Sequence, residues 1–339
     1  MGNSYPDRTN ASGIWSISDI YKDRIKGPEN SKYPDAGTRG ITGGGSAPGT
    51  DTVIDFIQIM STGNATDFGD LTVEGQMSGT ASSHTRGVFG SRDSNNVMDF
   101  ITISTTGNAS DFGDSTVANY GGSGLSNEIR GCFGGGYTPS DTDVIDFITI
   151  ATTGNAADFG NLTAEKFYLG GMQNKTRGLF GGGYNIPAGD LNVIDVIEIA
   201  STGNAVDFGD LTSAKRAGAT MSGDNKCLFA GGFIDALTKD IDVINPNNLS
   251  NAIDFGELTV ARKYAAGCST YKRGVAMGGL LAPGNSNVID FIEMASAGDA
   301  TDFGDLTVAR GHLGFNGISN GHGGLSLSLI HISEPTRQA

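Results

Sequence analysis

The chain has 339 residues, with 22 basic and 37 acidic side chains, a formal net charge of −15, and 53 glycines against nine prolines. That charge argues against a phosphate backbone as the main partner, because nucleic-acid binding needs a basic patch. No apolar run approaches the roughly 20 residues that span a bilayer, so no membrane insertion is expected, and residues 1–10 lack the basic-then-apolar pattern of a signal peptide.

Residues 1–37 match nothing later in the chain and hold the only tryptophan, Trp15. They read either as a loose leader or as a docking segment, since a tryptophan in a polar stretch usually has something to pack on. From residue 38 one sentence is spelled six times. The Phe of its Asp-Phe-Gly element falls at Phe68, Phe112, Phe159, Phe208, Phe255 and Phe303, spacings of 44 to 49 residues. A period of that length with strand-like content predicts a β-propeller: all-β, one domain over residues 38–324, six blades of four strands.

Within each copy the first strand is predicted around segments such as 263–267. The second runs through Arg177-Gly178-Leu179-Phe180 into a glycine cluster, and the third is the apolar run from Val193 to Ile199. A Gly-Asn turn, as at Gly203-Asn204, leads into the fourth, because such a hairpin needs positive φ. The third strand is apolar on both faces, which suits a blade sandwiched between neighbours. Pro246 interrupts it in the fifth copy, so that strand is expected to be shortened or to lie near an edge. Copy one lacks a first strand, and one spare first strand, Gly311-His312-Leu313-Gly314-Phe315, follows the sixth copy. The spare strand is expected to complete blade one and close the ring, removing open edges.

The last stretch, 325–339, contains Leu327-Ser328-Leu329-Ile330-His331-Ile332-Ser333-Glu334-Pro335. It resembles the translation of a transposase-type sequencing adapter and is set aside from fold reasoning. On that reading a seventh blade is possible in the intact gene.

The repeat resembles kelch. Arg310-Gly311-His312 sits where a kelch unit opens, and the strand ending in Phe180-Gly181-Gly182 is similar to the kelch diglycine. Ile194-Asp195 stands where kelch has Tyr-Asp. The near-verbatim Asp-Phe-Gly-Asp-Leu-Thr ending, with the leader Gly13-Ile14-Trp15-Ser16, is similar to repeat proteins of tailed-bacteriophage virions. The resemblance implies a virion location and a binding or structural role.

Six copies of Asp-Phe-Gly on hairpins are structure; a kinase carries one, with a glycine-rich loop and a strand lysine. The recurrent aspartates invite a calcium reading, but each lies in an apolar strand or follows a hairpin, where backbone N–H or arginine partners suit it better. The expected partners are the arginines that begin strand two: Arg39, Arg86, Arg130, Arg177 and Arg273, paired with Asp55, Asp99, Asp146, Asp195 and Asp290. The three cysteines, Cys132, Cys227 and Cys268, have no metal-ligand spacing and no even count for a disulfide framework; Cys132 is expected to act as a small apolar core residue. With four histidines and no nucleophile or phosphate-loop motif, neither catalytic residues nor a metal or cofactor are expected.

What remains is binding, and it should sit where the copies differ. The loops between strands two and three vary most, and three carry an aromatic after the glycines: Tyr137, Tyr184 and Phe233. These are the candidate ligand-binding residues, for a protein partner or a glycan on one rim. The alternative from another class is a carbohydrate-active enzyme with its site at the channel mouth, marked by carboxylates about 5–10 Å apart.

Overall fold

A computed structural model of the chain describes residues 38–325, apart from 48, 77, 78 and 94. The leader 1–37, and the tail 325–339 except Leu325, lie outside those residues. Six four-stranded antiparallel sheets follow one another. Blade two is typical: Thr80–Ser82 innermost, then Arg86–Phe89, Val97–Thr102 and Ser110–Asp114 outermost. Blade one takes Arg39–Gly43, Val53–Gln58 and Thr66–Asp70 from the start of the described chain and its inner strand, Ile318–Ser319, from the end. The protein is a six-bladed β-propeller.

The core lies between blades, not within one. Ile41, Ile54 and Phe68 of blade one pack with Phe89 and Ile101 of blade two. On its other side, Ile57 and Ile59 pack with Cys268, Val275, Ile289 and Phe303 of blade six. Fully burying such side chains is worth roughly 1.5–3 kcal/mol each. This packing explains a third strand without a wet face. Cys132, Cys227 and Cys268 are free and buried among these side chains, and burial pushes the Cys132 thiol up to about 12.

The Asp-Phe-Gly element is the docking device. In every blade the pairing of strands three and four slips by one residue, as between Ile54 and Asp55, so the Phe is an extra, bulged residue that points inward. The following glycine has positive φ, and a Cβ on Gly69 would lie 2.5 Å from the carbonyl of Gly107 in the next blade's turn. That turn seats itself there: the Gly107 N–H donates to Phe68 O at 2.8 Å and Ala109 N–H to Asp70 O at 2.8 Å. The same bonds cross from blade six to blade one, Gly63 N–H to Phe303 O at 2.9 Å and Ala65 N–H to Asp305 O at 2.8 Å. The ring is closed.

Three expectations need correction. The closing strand is not 311–315 but Ile318–Ser319, paired with Ile41 and Gly40. Residues 315–317 instead cross the axis: Phe315 O accepts Thr220 N–H at 2.8 Å, while Asn316 bonds Thr80 and Gly124 on the opposite side. The first strands also start later than expected, at Ala266 in blade six. At Pro246 the third strand of blade five stops one residue early, at Ile244, two past Asp242 where blade four runs three past Asp195 to Glu198, but it is not an edge strand. Blade five's third strand, Ala236–Ile244, is nine residues long and internal to its sheet, because a tight turn at Asp235 extends it at the other end; the proline lies two residues past it.

The inner strands are laced by side chains around the axis. Ser126 Oγ donates to Ser82 O, Ser82 Oγ to Ser319 O, Ser319 Oγ to Ser269 O and Ser269 Oγ to Ser222 O, while Ser222 Oγ accepts Gln173 N–H, all at 2.7–3.0 Å. His322 closes the hole inside this circle. Its Nε2–H donates to Ser82 O at 3.0 Å, and its Nδ1 accepts from Gln173 Nε2 at 3.0 Å and Gly324 N–H at 3.1 Å, an assignment set by the network.

Burial, with His84 adding repulsion, lowers the His322 pKa from 6.5 to about 4. The unfolded imidazole protonates below about pH 6.5 and the folded one resists until about pH 4. Stability present above pH 6.5 is therefore lost as pH falls through that window, by roughly 3 kcal/mol. Urea melts at pH 7 and pH 4.5 should show this loss in the native protein and much less of it in His322→Gln. Equal losses in both would contradict the assignment.

Candidate functional site

Two recurrent charged positions organise the blade junctions, and they do not pair with each other. Arg39, Arg86, Arg130, Arg177 and Arg273 are not the partners of the buried aspartates. Each reaches out to the next blade: Arg39 Nη1 donates to Ile103 O at 2.8 Å, Arg86 to Ile150 O at 3.1 Å, Arg130 to Ile199 O at 3.0 Å, Arg177 to Pro246 O at 3.2 Å and Arg273 to Ile59 O at 3.2 Å. Lys226 does the same in blade five. Four of these guanidiniums also lie 4.3–4.5 Å over the strand-three phenylalanine, Phe56, Phe100, Phe147 or Phe291. In blade four Val196 replaces the ring, and Arg177 meets Glu198 at 3.2 Å.

The aspartates take partners from the connector that enters their blade. The Thr of each Asp-Phe-Gly-x-x-Thr donates its hydroxyl to the next blade's Asp, from Thr72 to Asp99 round to Thr307 to Asp55, at 2.5–2.7 Å. Three residues on, a fully buried cation follows: Lys166 on Asp195 at 3.1 Å, Lys215 on Asp242 at 2.8 Å, Arg262 on Asp290 at 2.8 Å and Arg310 on Asp55 at 2.6 Å. Asp99 is served by Arg92. These ion pairs hold the frame together.

Antiparallel strands place the loops between strands two and three on the same end of the ring as the connectors between blades. There the three predicted aromatics come together with residues the sequence reading missed. Tyr137 packs on Tyr120 at 5.5 Å and Phe167 at 5.3 Å; Phe167 meets Tyr184 at 5.5 Å. Arg216 lies 4.4 Å over Tyr184 and 4.8 Å over Phe233, Lys263 lies 4.5 Å over Phe233 and 4.9 Å over Tyr264, and Tyr264 stacks on His312 at 4.6 Å. The result is one arc from blade three to blade six. Tyr137, Tyr184 and Phe233 are half-buried, so each packs on a neighbouring loop and still offers a face.

The arc stands on an unusual backbone. Tyr168, Ala217, Tyr264 and His312 occupy the same repeat position, as does Gly121, and all have φ between 52° and 72°. For non-glycine residues this costs on the order of 1 kcal/mol or more each. A row of backbone bonds joins four of them: Tyr168 N–H to Gly121 O, Ala217 N–H to Tyr168 O and Tyr264 N–H to Ala217 O, at 2.6–2.8 Å. Phe315 plugs the axis beneath, 6.1 Å from Tyr168 and 6.3 Å from Tyr264. The sequence signal for this inner row was available: the residues just after the connector cation are Phe167-Tyr168, Arg216-Ala217 and Lys263-Tyr264.

Charge at the mouth is set by burial. It lowers Lys263, with Arg216 repelling it further, and it lowers His312 below its ordinary 6.5, so that imidazole is neutral at pH 7. Burial raises Tyr168 and Tyr264, so both phenols keep their protons. Arg216 is tied to Asp190. Asp141 Oδ2 accepts the Ile186 N–H at 2.6 Å, joining the loops of blades three and four, while its buried Oδ1 has no hydrogen-bond partner among the described residues. Among those residues no group of three or more His, Cys, Asp or Glu is placed to hold a metal ion, and no helix is long and apolar enough to cross a membrane. No protein-family model matches the chain, and none of the curated proteins matches it significantly.

Proposed function

We propose that the protein is a kelch-like, non-enzymatic binding module of a phage virion, and that the aromatic arc at the mouth grips a host glycan. The arc itself carries the reading. Tyr137, Tyr184 and Phe233 offer flat apolar faces, suited to the C–H face of a sugar ring. Lys263, beside Phe233 and Tyr264, adds a cationic donor to the same face. The strained, hydrogen-bonded row beneath keeps the face in place before a ligand arrives, which lowers the ordering cost of binding. A face of this kind would equally dock another virion protein through its aromatic anchors, and the test below separates the two.

The purified protein should bind sugars on a glycan array, and Tyr184→Ala should weaken that binding roughly tenfold or more, as expected for an aromatic anchor. Binding unchanged by Tyr184→Ala would overturn the placement. An array blank beside capture of a virion protein through the same residue would replace glycan by protein. Glycoside turnover by the wild type would favour the enzyme alternative.

A further inference from the structure

Of the six recurrent strand-three aspartates, five hold a buried guanidinium or ammonium group, and the sixth, Asp146 in blade three, does not. The position that supplies Lys166, Lys215, Arg262 and Arg310 elsewhere is Asn119 here. Its shorter side chain stops early, donating from Nδ2 to Gly135 O at 3.1 Å and accepting from Ser91 Oγ at 2.8 Å. Blade two lacks the connector cation too, with Gly75 in the place, but it compensates: Arg92 enters from the loop and fills the space, its Cγ 2.6 Å from where a Cβ on Gly75 would lie, and pairs with Asp99. Blade three has no such substitute.

A cavity of about 20 Å³ remains there, lined by Asn119, Phe133, Gly134, Gly135, Val144 and Asp146. The same place in blade four is full. Lys166 Nζ lies 3.1 Å from Asp195, 3.3 Å from Phe180 O and 3.4 Å from Val193 O. Phe133 pairs with Asp146 as Phe180 pairs with Asp195, and Val144 stands two residues before Asp146 as Val193 does before Asp195. The three oxygens that seat an ammonium in blade four are therefore repeated in blade three around empty space. Asp146 is only 5% exposed, and it keeps its Thr116 bonds, at 2.8 Å from the amide and 2.6 Å from the hydroxyl. Its carboxyl is pushed up by burial, against the pull of those Thr116 bonds.

We propose that this cavity is a binding site for one monovalent cation of ammonium or potassium size, which takes the place of the missing lysine ammonium. The volume admits about one water-sized sphere. One carboxylate with neutral carbonyl oxygens suits a singly charged ion, as carbonyls replace the hydration shell of potassium; calcium demands six to eight oxygens. Bound, the ion would bridge the second and third strands of blade three, as the Lys166 ammonium bridges those of blade four. Bulky tetramethylammonium cannot enter.

Thermal unfolding of the full chain at constant chloride tests this with potassium, ammonium and tetramethylammonium as the only cations. At about a hundred times its Kd, the binding cation should raise the Tm by roughly 5 °C over tetramethylammonium. Comparing potassium with ammonium tells which the site prefers. Asn119→Lys should raise the Tm in tetramethylammonium and abolish the cation dependence; Asp146→Asn should abolish it as well. Thallium(I), a potassium stand-in, should give an anomalous diffraction peak beside Asp146 in wild-type crystals, a readout independent of any variant's folding. Equal Tm in all three salts with no thallium peak, or a full cation dependence persisting in Asn119→Lys, would overturn the proposal.

Discussion

Arg310→Met is expected to destabilise the protein by about 3–5 kcal/mol, the usual cost of leaving a buried charge without its partner. At about 2 °C per kcal/mol or more for a domain near this size, the Tm should fall by roughly 10 °C. Arg310 and Asp55 are both fully buried, 2.6 Å apart, and the guanidinium also donates to Gly44 O at 3.1 Å. Methionine fills most of the volume but strands the carboxylate, which keeps only Thr307. The cost therefore belongs to the lone charge. Adding Asp55→Asn should recover part of it, and a double variant as unstable as the sum of the two single ones would assign the loss to packing instead. This pair also joins the last connector to the first blade, so its removal should loosen the ring at its seam.

Gly171→Ala should cost at least about 4 kcal/mol, the exceptional end of single substitutions. The inner strands converge on the axis so closely that a Cβ at Gly171 would lie 2.1 Å from Gly124 O. That atom is backbone, and it cannot swing aside. Gly181 is the control: its nearest neighbour would be the Met172 Cε at 3.2 Å, the flexible end of a side chain, so Gly181→Ala should cost far less. Similar chemical denaturation midpoints for the two variants would contradict this account of the axis.

The architecture was legible because a 44–49-residue repeat exposes its own frame: blade count, strand order and the structural nature of Asp-Phe-Gly all follow from repetition. Partnerships were not legible, for a physical reason. Repetition says that Arg177 and Asp195 both recur, but not which way either faces. The aspartate's cation arrives from about 30 residues earlier across a blade boundary, and the arginine leaves toward the following blade. The closing strand was misplaced because the last copy carries Phe315 and Asn316 across the axis, which lengthens the path from His312 to Ile318; a frame copied from Tyr264 and Ala266 falls short. The aromatic arc was half legible. Loop variation pointed to Tyr137, Tyr184 and Phe233, whereas Arg216, Lys263 and Tyr264 sit beside a repeated connector and read as frame.

Closure of the ring is tested most directly by amide hydrogen exchange at Gly63 and Ala65, on the first hairpin. In the closed ring their N–H groups are bonded to Phe303 O and Asp305 O, 240 residues away, as those of Gly154 and Ala156 are bonded to Phe112 O and Asp114 O. The account predicts slow exchange at both pairs, matched within about an order of magnitude. Fast exchange at Gly63 and Ala65, beside slow exchange at Gly154 and Ala156, would mean an open array whose first edge nothing covers.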